Sequence, residues 1–203
     1  WTFSQAIQGM GDACRALDTP VTGGNVSFYN EHPEGAVFPT PTVGMLGIVD
    51  DVRASVTAAL QNEGDVLFLI TPSTWMHRSE IDGTEYLATV HNRTTGDAPH
   101  LDLDEEVAVQ NAARALIGDG RVQHAHDVSD VIHADGLGAD IDLPGADDHR
   151  LDGVLFGEAQ SRILVSVRPG DADRVHALVP DDAAAHRIGT VTSGGLRIRV
   201  GDD

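Results

Sequence analysis

The sequence predicts a mixed α/β or α+β chain. Three observations lead there: an apolar stripe of helical spacing at the start, a capped amphipathic helix in the middle, and short strand-like runs alternating with helical stretches. Phe3, Ala6, Ile7, Met10, Ala13, Cys14 and Leu17 recur at helical spacing. Thr2 with Gln5 has the spacing of a capping box, and Pro20 stops the helix. A Gly23-Gly24-Asn25 turn leads into a strand over Val26–Tyr29, then a loop over Asn30–Pro41, then a strand over Thr42–Val49. Val52–Leu60 reads as a short amphipathic segment.

Asn62-Glu63-Gly64 marks a boundary, giving units of 1–60 and 61–203. Val66–Ile70 is a continuous apolar run, the pattern of a buried strand. A helix follows near Thr84–His91. Asp102 caps a further helix, with Glu105 at its third position and apolar residues at Leu103, Val107, Ala112, Ala115 and Leu116. Strands are expected near Val122–Val128, Leu137–Leu143, Arg162–Val167, Arg187–Val191 and Leu196–Val200, with a helix over Asp171–Leu178. No repeat or low-complexity tract interrupts this pattern.

Composition limits the function. The formal net charge is −19, and all 13 basic residues are Arg. A surface this acidic repels nucleic-acid phosphates and anionic membranes, so neither is expected as a partner. The acidity is distributed and Lys is absent, a pattern of salt-adapted proteins, in which a Debye length of about 3 Å at molar salt screens self-repulsion. No run of eighteen apolar residues exists to span a membrane. The single Cys14 cannot form an internal disulfide and sits on an apolar stripe, consistent with a reducing cytoplasm and a core role. The chain opens on Trp1-Thr2-Phe3-Ser4, without Met or a basic leader, and is expected to be a fragment.

Two segments hold chemistry-bearing residues. In Pro20–Glu31, Gly23 and Gly24 allow backbone to approach a phosphate, Asn25 offers a neutral oxygen suited to Mg²⁺, and Ser27 is a hydroxyl donor. Spacing alone leaves a plain turn as the alternative. In His124–His133, three imidazoles with Asp127 and Asp130 have the composition of a transition-metal site, or of a solvated strand end.

Longer strings carry a resemblance. Trp1–Met10, Asp12–Leu17, Pro20–Glu31 and Pro39–Gly47 are similar to one stretch of the phosphoribosylformylglycinamidine synthase family. The likeness continues through Gly64–Leu69, Gly83–Leu87, His126–Asp130, Leu155–Arg162 and Ile188–Val191, in the family's order. It implies an aminoimidazole-ribonucleotide-synthetase-like fold: the later half of a ferredoxin-like, ATP-binding α+β unit, then a mixed α/β unit. It also implies an ATP- and Mg²⁺-dependent ligase of purine biosynthesis that turns formylglycinamide ribonucleotide and glutamine-derived ammonia into the amidine. In that family the glycine matching Gly24 contacts ATP, the asparagine matching Asn25 holds magnesium, and the serine matching Ser27 contacts the ribonucleotide. Glu158-Ala159-Gln160 resembles a segment that binds substrate in the equivalent first-half repeat, and for this second copy a structural role is equally compatible; Arg162 has two readings, pairing with an acidic neighbour or reaching a phosphate.

The implied partners are an upstream part of the same synthase, a glutaminase subunit and a small accessory subunit. The catalytic His of the family lies upstream of Trp1, so this fragment alone is expected to be inactive. The sequence departs from the family after Asp130: where the family has two glycines and a helix of mostly small and apolar residues, this chain continues Val131-Ile132-His133-Ala134-Asp135-Gly136-Leu137-Gly138, so a shortened or absent helix is expected. That puts any role of Asp127 or Asp130 in doubt and leaves a non-catalytic nucleotide-binding or assembly domain as the alternative.

Overall fold

The computed structural model describes residues 1–29, 31–74, 78, 80–128 and 136–201, the side chain of Asp147 apart. The chain divides into two compact units, Trp1–Asp50 and Asp51–Asp203.

The first unit is built on helix α1 (Thr2–Ala16). Its N-cap is Trp1, without a side-chain cap, so the expected Thr2–Gln5 box is absent: Thr2 lies inside the helix, where its backbone is already helical. The helix closes before Pro20 is reached, because Asp18 turns left-handed at φ 48°. The strands expected over 26–29 and 42–49 do not form. Among the described residues, the only pairing in this unit is a two-residue hairpin, β1 (Glu31–His32) with β2 (Gly35–Ala36), inside the segment expected to be a loop. An extended run becomes a strand only when a neighbour takes its N–H and C=O groups, and among the described residues none lies beside 42–49. Val43, Met45, Leu46, Ile48 and Val49 consequently stand exposed.

The second unit begins with a single 3₁₀ turn, Val52–Ala54, in place of the expected amphipathic segment. Ser55 ends it: its hydroxyl donates to the Val52 carbonyl at 2.6 Å while its backbone becomes extended. The core is a six-stranded sheet in the order β4-β6-β3-β7-β5-β8. Strand β3 (Val66–Pro72) lies inside it and is buried at every position, as its unbroken apolar run requires. Helix α2 (Glu85–His91) is capped by Thr84, whose hydroxyl accepts from the Leu87 amide. Helix α3 (Leu103–Gly118) is capped by Asp102, whose carboxylate accepts from the amides of Asp104 and Glu105 at 2.9 and 3.1 Å.

Strands β4 (Val122–Asp127) and β5 (Leu137–Leu143) follow, then helix α4 (Leu151–Phe156), which the sequence pattern did not indicate. Strand β6 (Ile163–Val167), helix α5 (Ala172–Leu178), strand β7 (Ala183–Ser193) and strand β8 (Arg197–Val200) complete the unit. All pairings are antiparallel except β5 with β8.

Residues alternate between two faces. On one, Val66, Phe68 and Ile70 of β3 meet Val165 and Val167 of β6, and α3 and α5 cover them with Val109, Ala112, Leu116 and Val175. On the other, Leu67 and Leu69 pack with Leu164, Ile188, Val191 and Leu60. His124 and Ser166, opposite each other on β4 and β6, are fully buried, and neither His124 ring nitrogen nor the Ser166 hydroxyl has a hydrogen-bond partner. The 51–62 segment is tied to this edge by the Ala125 amide, which donates to the Thr57 carbonyl at 3.2 Å.

Candidate functional site

Gly24, Asn25 and Ser27 lie on an exposed stretch of irregular backbone after α1. Its anchor is aromatic: the Phe28 ring meets Phe3 of α1 edge-on, with centroids 5.2 Å apart. A Cβ added at Gly23 or Gly24 would meet no atom within 4 Å, and neither glycine has a left-handed backbone. Neither crowding nor backbone strain therefore demands glycine at these positions, and the backbone there stands open. The Asn25 side chain has no hydrogen-bond partner among the described residues and leaves its amide oxygen available. One neutral oxygen is a fitting but incomplete Mg²⁺ ligand set. No cluster of three or more His, Cys, Asp or Glu side chains suited to a metal exists among the described residues.

The histidine segment fares differently from its composition. His124 is sealed in the interior, and burial, assisted by the neighbouring His126 charge, pushes its pKa down to about 4. His126 faces Asp127 through Nδ1, 2.9 Å from Oδ1, at the exposed end of β4. Asp130 and His133 lie outside the described residues. Asp127 is thus a strand-end partner of His126, and the transition-metal reading has no ligand cluster behind it among the described residues.

Glu158, Gln160 and Arg162 are brought together on the loop between α4 and β6. The Glu158 carboxylate accepts from the Glu85 amide at 2.8 Å, at the first turn of α2. A negative group there satisfies a donor the helix leaves unpaired. The Arg162 guanidinium is turned inward and donates to the carbonyls of Ala159 and Gly157 at 3.1 and 2.8 Å. Burial lowers its pKa from the usual arginine value, partly opposed by Glu80. Gln160 donates to the Glu158 carbonyl at 3.2 Å. Gly157 is obligatory, since an added Cβ would overlap the carbonyl oxygens of Gly153 and Glu80.

Sequence reasoning missed the network beside this loop. Ser161 adopts a left-handed backbone at φ 60° and its hydroxyl donates to Glu106 at 2.7 Å. Next to it, Arg78 donates to Glu105 at 3.2 Å, and Thr74 donates to the same carboxylate at 2.7 Å. The adjacent acids Glu105 and Glu106, opening α3 so close to its cap, were the available signal. The arrangement makes Glu158 and Arg162 braces of the loop: the carboxylate is engaged by α2 and the guanidinium by main-chain carbonyls.

The profile of the AIR synthase related protein C-terminal domain matches residues 62–201, and that of the corresponding N-terminal domain matches residues 1–49. The chain belongs to the AIR synthase related family. It is 64% identical over its whole length to the phosphoribosylformylglycinamidine synthase subunit PurL of Salinibacter ruber, of which it covers 28%. It is 43% identical to the Moorella thermoacetica PurL over 98% of its length, again 28% of that relative. The chain therefore spans a little over a quarter of the curated relatives it matches. Among solved structures, Thermotoga maritima PurL complexed with FGAR superposes with a TM-score of 0.59 at 17% identity, over 73% of this chain and 27% of that one. T. maritima PurL complexed with ATP gives 0.53 at 16% identity, over 75% of this chain and 26% of that one. At that identity the superpositions establish the fold, an AIR-synthase-like arrangement of mixed α/β type.

Proposed function

We propose that this chain is the C-terminal portion of a phosphoribosylformylglycinamidine synthase, and that Gly24, Asn25 and Ser27 form one wall of its active site. The observation that carries the reading is the 64% identity to a PurL subunit along the entire chain. The open, Phe28-anchored segment is compatible with it.

In this reading the Gly24 backbone approaches ATP, the Asn25 amide oxygen helps hold Mg²⁺, and the Ser27 hydroxyl contacts formylglycinamide ribonucleotide. The metal supplies charge neutralisation at the phosphates. The reaction transfers the γ-phosphoryl group to the amide oxygen of the substrate, and ammonia then displaces phosphate from that carbon. The products are the amidine, ADP and phosphate. The contribution of these three residues is position and polarity, the main components of phosphoryl-transfer catalysis. The remaining ligands and the acid–base groups come from the rest of the synthase. Ammonia comes from a glutaminase subunit assisted by a small accessory subunit. A cytoplasmic setting follows from that pathway, and no helix among the described residues is long and apolar enough to cross a membrane.

The test is an ammonia-dependent amidation assay on the full-length gene product. Asn25→Ala is expected to lower kcat/KM by about 10²-fold or more, the scale of one lost polar group at a transition state. Partial recovery at raised Mg²⁺ would support the metal role. Wild-type turnover in the variant would remove Asn25 from the site. No turnover in a wild-type enzyme that carries intact upstream segments would favour a non-catalytic assembly domain instead.

A further inference from the structure

Helix α2 is bracketed by two loops that are strapped together. The Gly83 amide donates to the Thr95 carbonyl at 3.2 Å, and Gly96, at φ +106°, lies so close to Asp82 that an added Cβ would collide with its side chain. Between these loops and Arg150, at the start of α4, opens a cleft of about 450 Å³ lined by Asp82, Leu87, His91, Arg93, Thr95 and Arg150. That volume is in the range of small-ligand sites, about 300–1,000 Å³.

The charge in this cleft runs against the rest of the molecule. With 32 acidic residues for 13 arginines, cations are scarce and most are matched. Arg53, Arg121, Arg174, Arg197 and Arg199 each lie on a carboxylate. The Arg93 amide donates to the Leu87 carbonyl at 3.0 Å, whereas its guanidinium has no hydrogen bond or ion pair among the described residues, although it projects from an exposed loop of a strongly acidic chain. Arg150 is held by Asp152 through Nε and Nη2 at 2.6 and 2.8 Å, which orients the guanidinium and leaves its other donors unused. One ring, His91, lines the cleft with the two arginines, and it is backed by further rings outside the lining. The His91 ring meets Tyr86 edge-on at 5.4 Å, and Tyr86 is stacked on Phe156 at 4.7 Å. Asp82 is the acceptor in the lining.

We propose that this cleft binds a phosphate monoester of nucleotide size, with Arg93 and Arg150 on the phosphate, the His91 ring beside the base, and Asp82 accepting from a sugar hydroxyl. Two guanidinium groups converging on one cleft match a phosphate dianion better than any single donor. The His91 ring and the Asp82 carboxylate give the remainder of a nucleotide something to meet. The site uses none of Gly24, Asn25 and Ser27 and does not depend on the catalytic reading above.

The experiment is calorimetric titration of the chain with AMP, adenosine and inorganic phosphate at constant ionic strength. Wild type is compared with Arg93→Gln, Arg150→Gln and Asn25→Ala. All three positions are exposed, and far-UV circular dichroism verifies the fold of each variant. Saturable AMP binding is expected, with Arg93→Gln and Arg150→Gln each weakening it about tenfold or more, the scale of a lost hydrogen bond to a charged group. Adenosine should bind far more weakly, inorganic phosphate should compete with AMP, and Asn25→Ala should bind like wild type. Absence of saturation in wild type overturns the proposal. So does AMP binding unaffected by Arg93→Gln, or adenosine binding as tight as AMP. Loss of AMP binding in Asn25→Ala alone would assign it to the first unit instead.

Discussion

Acidification should loosen this protein through one residue. Folded His124 is fully buried, both its ring nitrogens lack partners, and its pKa is pushed down to about 4 from an ordinary value of 6.5. The unfolded chain therefore takes up this proton first, so stability falls as pH drops below 6.5 and levels off below 4. Across the whole window the loss is about 3 kcal/mol. Between pH 7 and pH 5, before most carboxylates titrate, it is about 2 kcal/mol.

The assay is urea unfolding followed by circular dichroism at those two pH values, in molar KCl, for wild type and His124→Leu. The other nine histidines are common to both proteins. Leucine is close in size and apolar, as is Leu67 in the same row of the sheet across Ser166, so at pH 7 the variant should be at least as stable as wild type. Its loss on going to pH 5 should be smaller by about 2 kcal/mol. Parallel losses in the two proteins would refute the argument, because they would mean that His124 finds a partner or reaches solvent.

Truncating Phe68→Ala, which fills the core beneath α3 and α5, should cost about 3–5 kcal/mol in urea unfolding, since nearby side chains cannot close the gap. Asp102→Ala removes both cap bonds of α3 and should cost about 1 kcal/mol in the same measurement. Gly157→Ala forces a Cβ into the carbonyls of Gly153 and Glu80, so faster proteolysis of the 157–162 loop is expected; cleavage at the wild-type rate would show that glycine is not required there. Raising KCl to molar concentration should increase the thermal midpoint, because a net charge of −19 repels itself; indifference to salt would remove the inference of salt adaptation.

The second unit was largely legible in the sequence because its signals are local and redundant. The run Val66–Ile70 has one sensible place, inside a sheet, and Asp102 with a helical apolar stripe behind it can hardly be anything but a capped helix. Helix α4 was not legible: it has six residues, Gly153 inside it and no side-chain cap. In the first unit the apolar runs at 26–29 and 42–49 were visible, yet a strand is a property of two segments and a run cannot report whether its neighbour is present. At the candidate site, Gly24, Asn25 and Ser27 could be singled out by residue type and resemblance. The bracing of the Glu158 loop could not, because it joins residues as far apart as Ser161 and Glu106. The burial of His124 depends on the same kind of distant packing.

Strand β3 has consequences for how the protein is made. Its partners in the sheet are β6 and β7, which begin near residues 163 and 183, so about a hundred residues separate it from the edges that must receive it. On the ribosome β3 emerges well before its partners, and its apolar surface must wait for them. A message truncated before residue 183 would release a strand with one edge open, an invitation to pair with another copy. Synthesis and folding of the second unit are thereby forced into sequence, and chaperone demand should peak just before β7 leaves the exit tunnel.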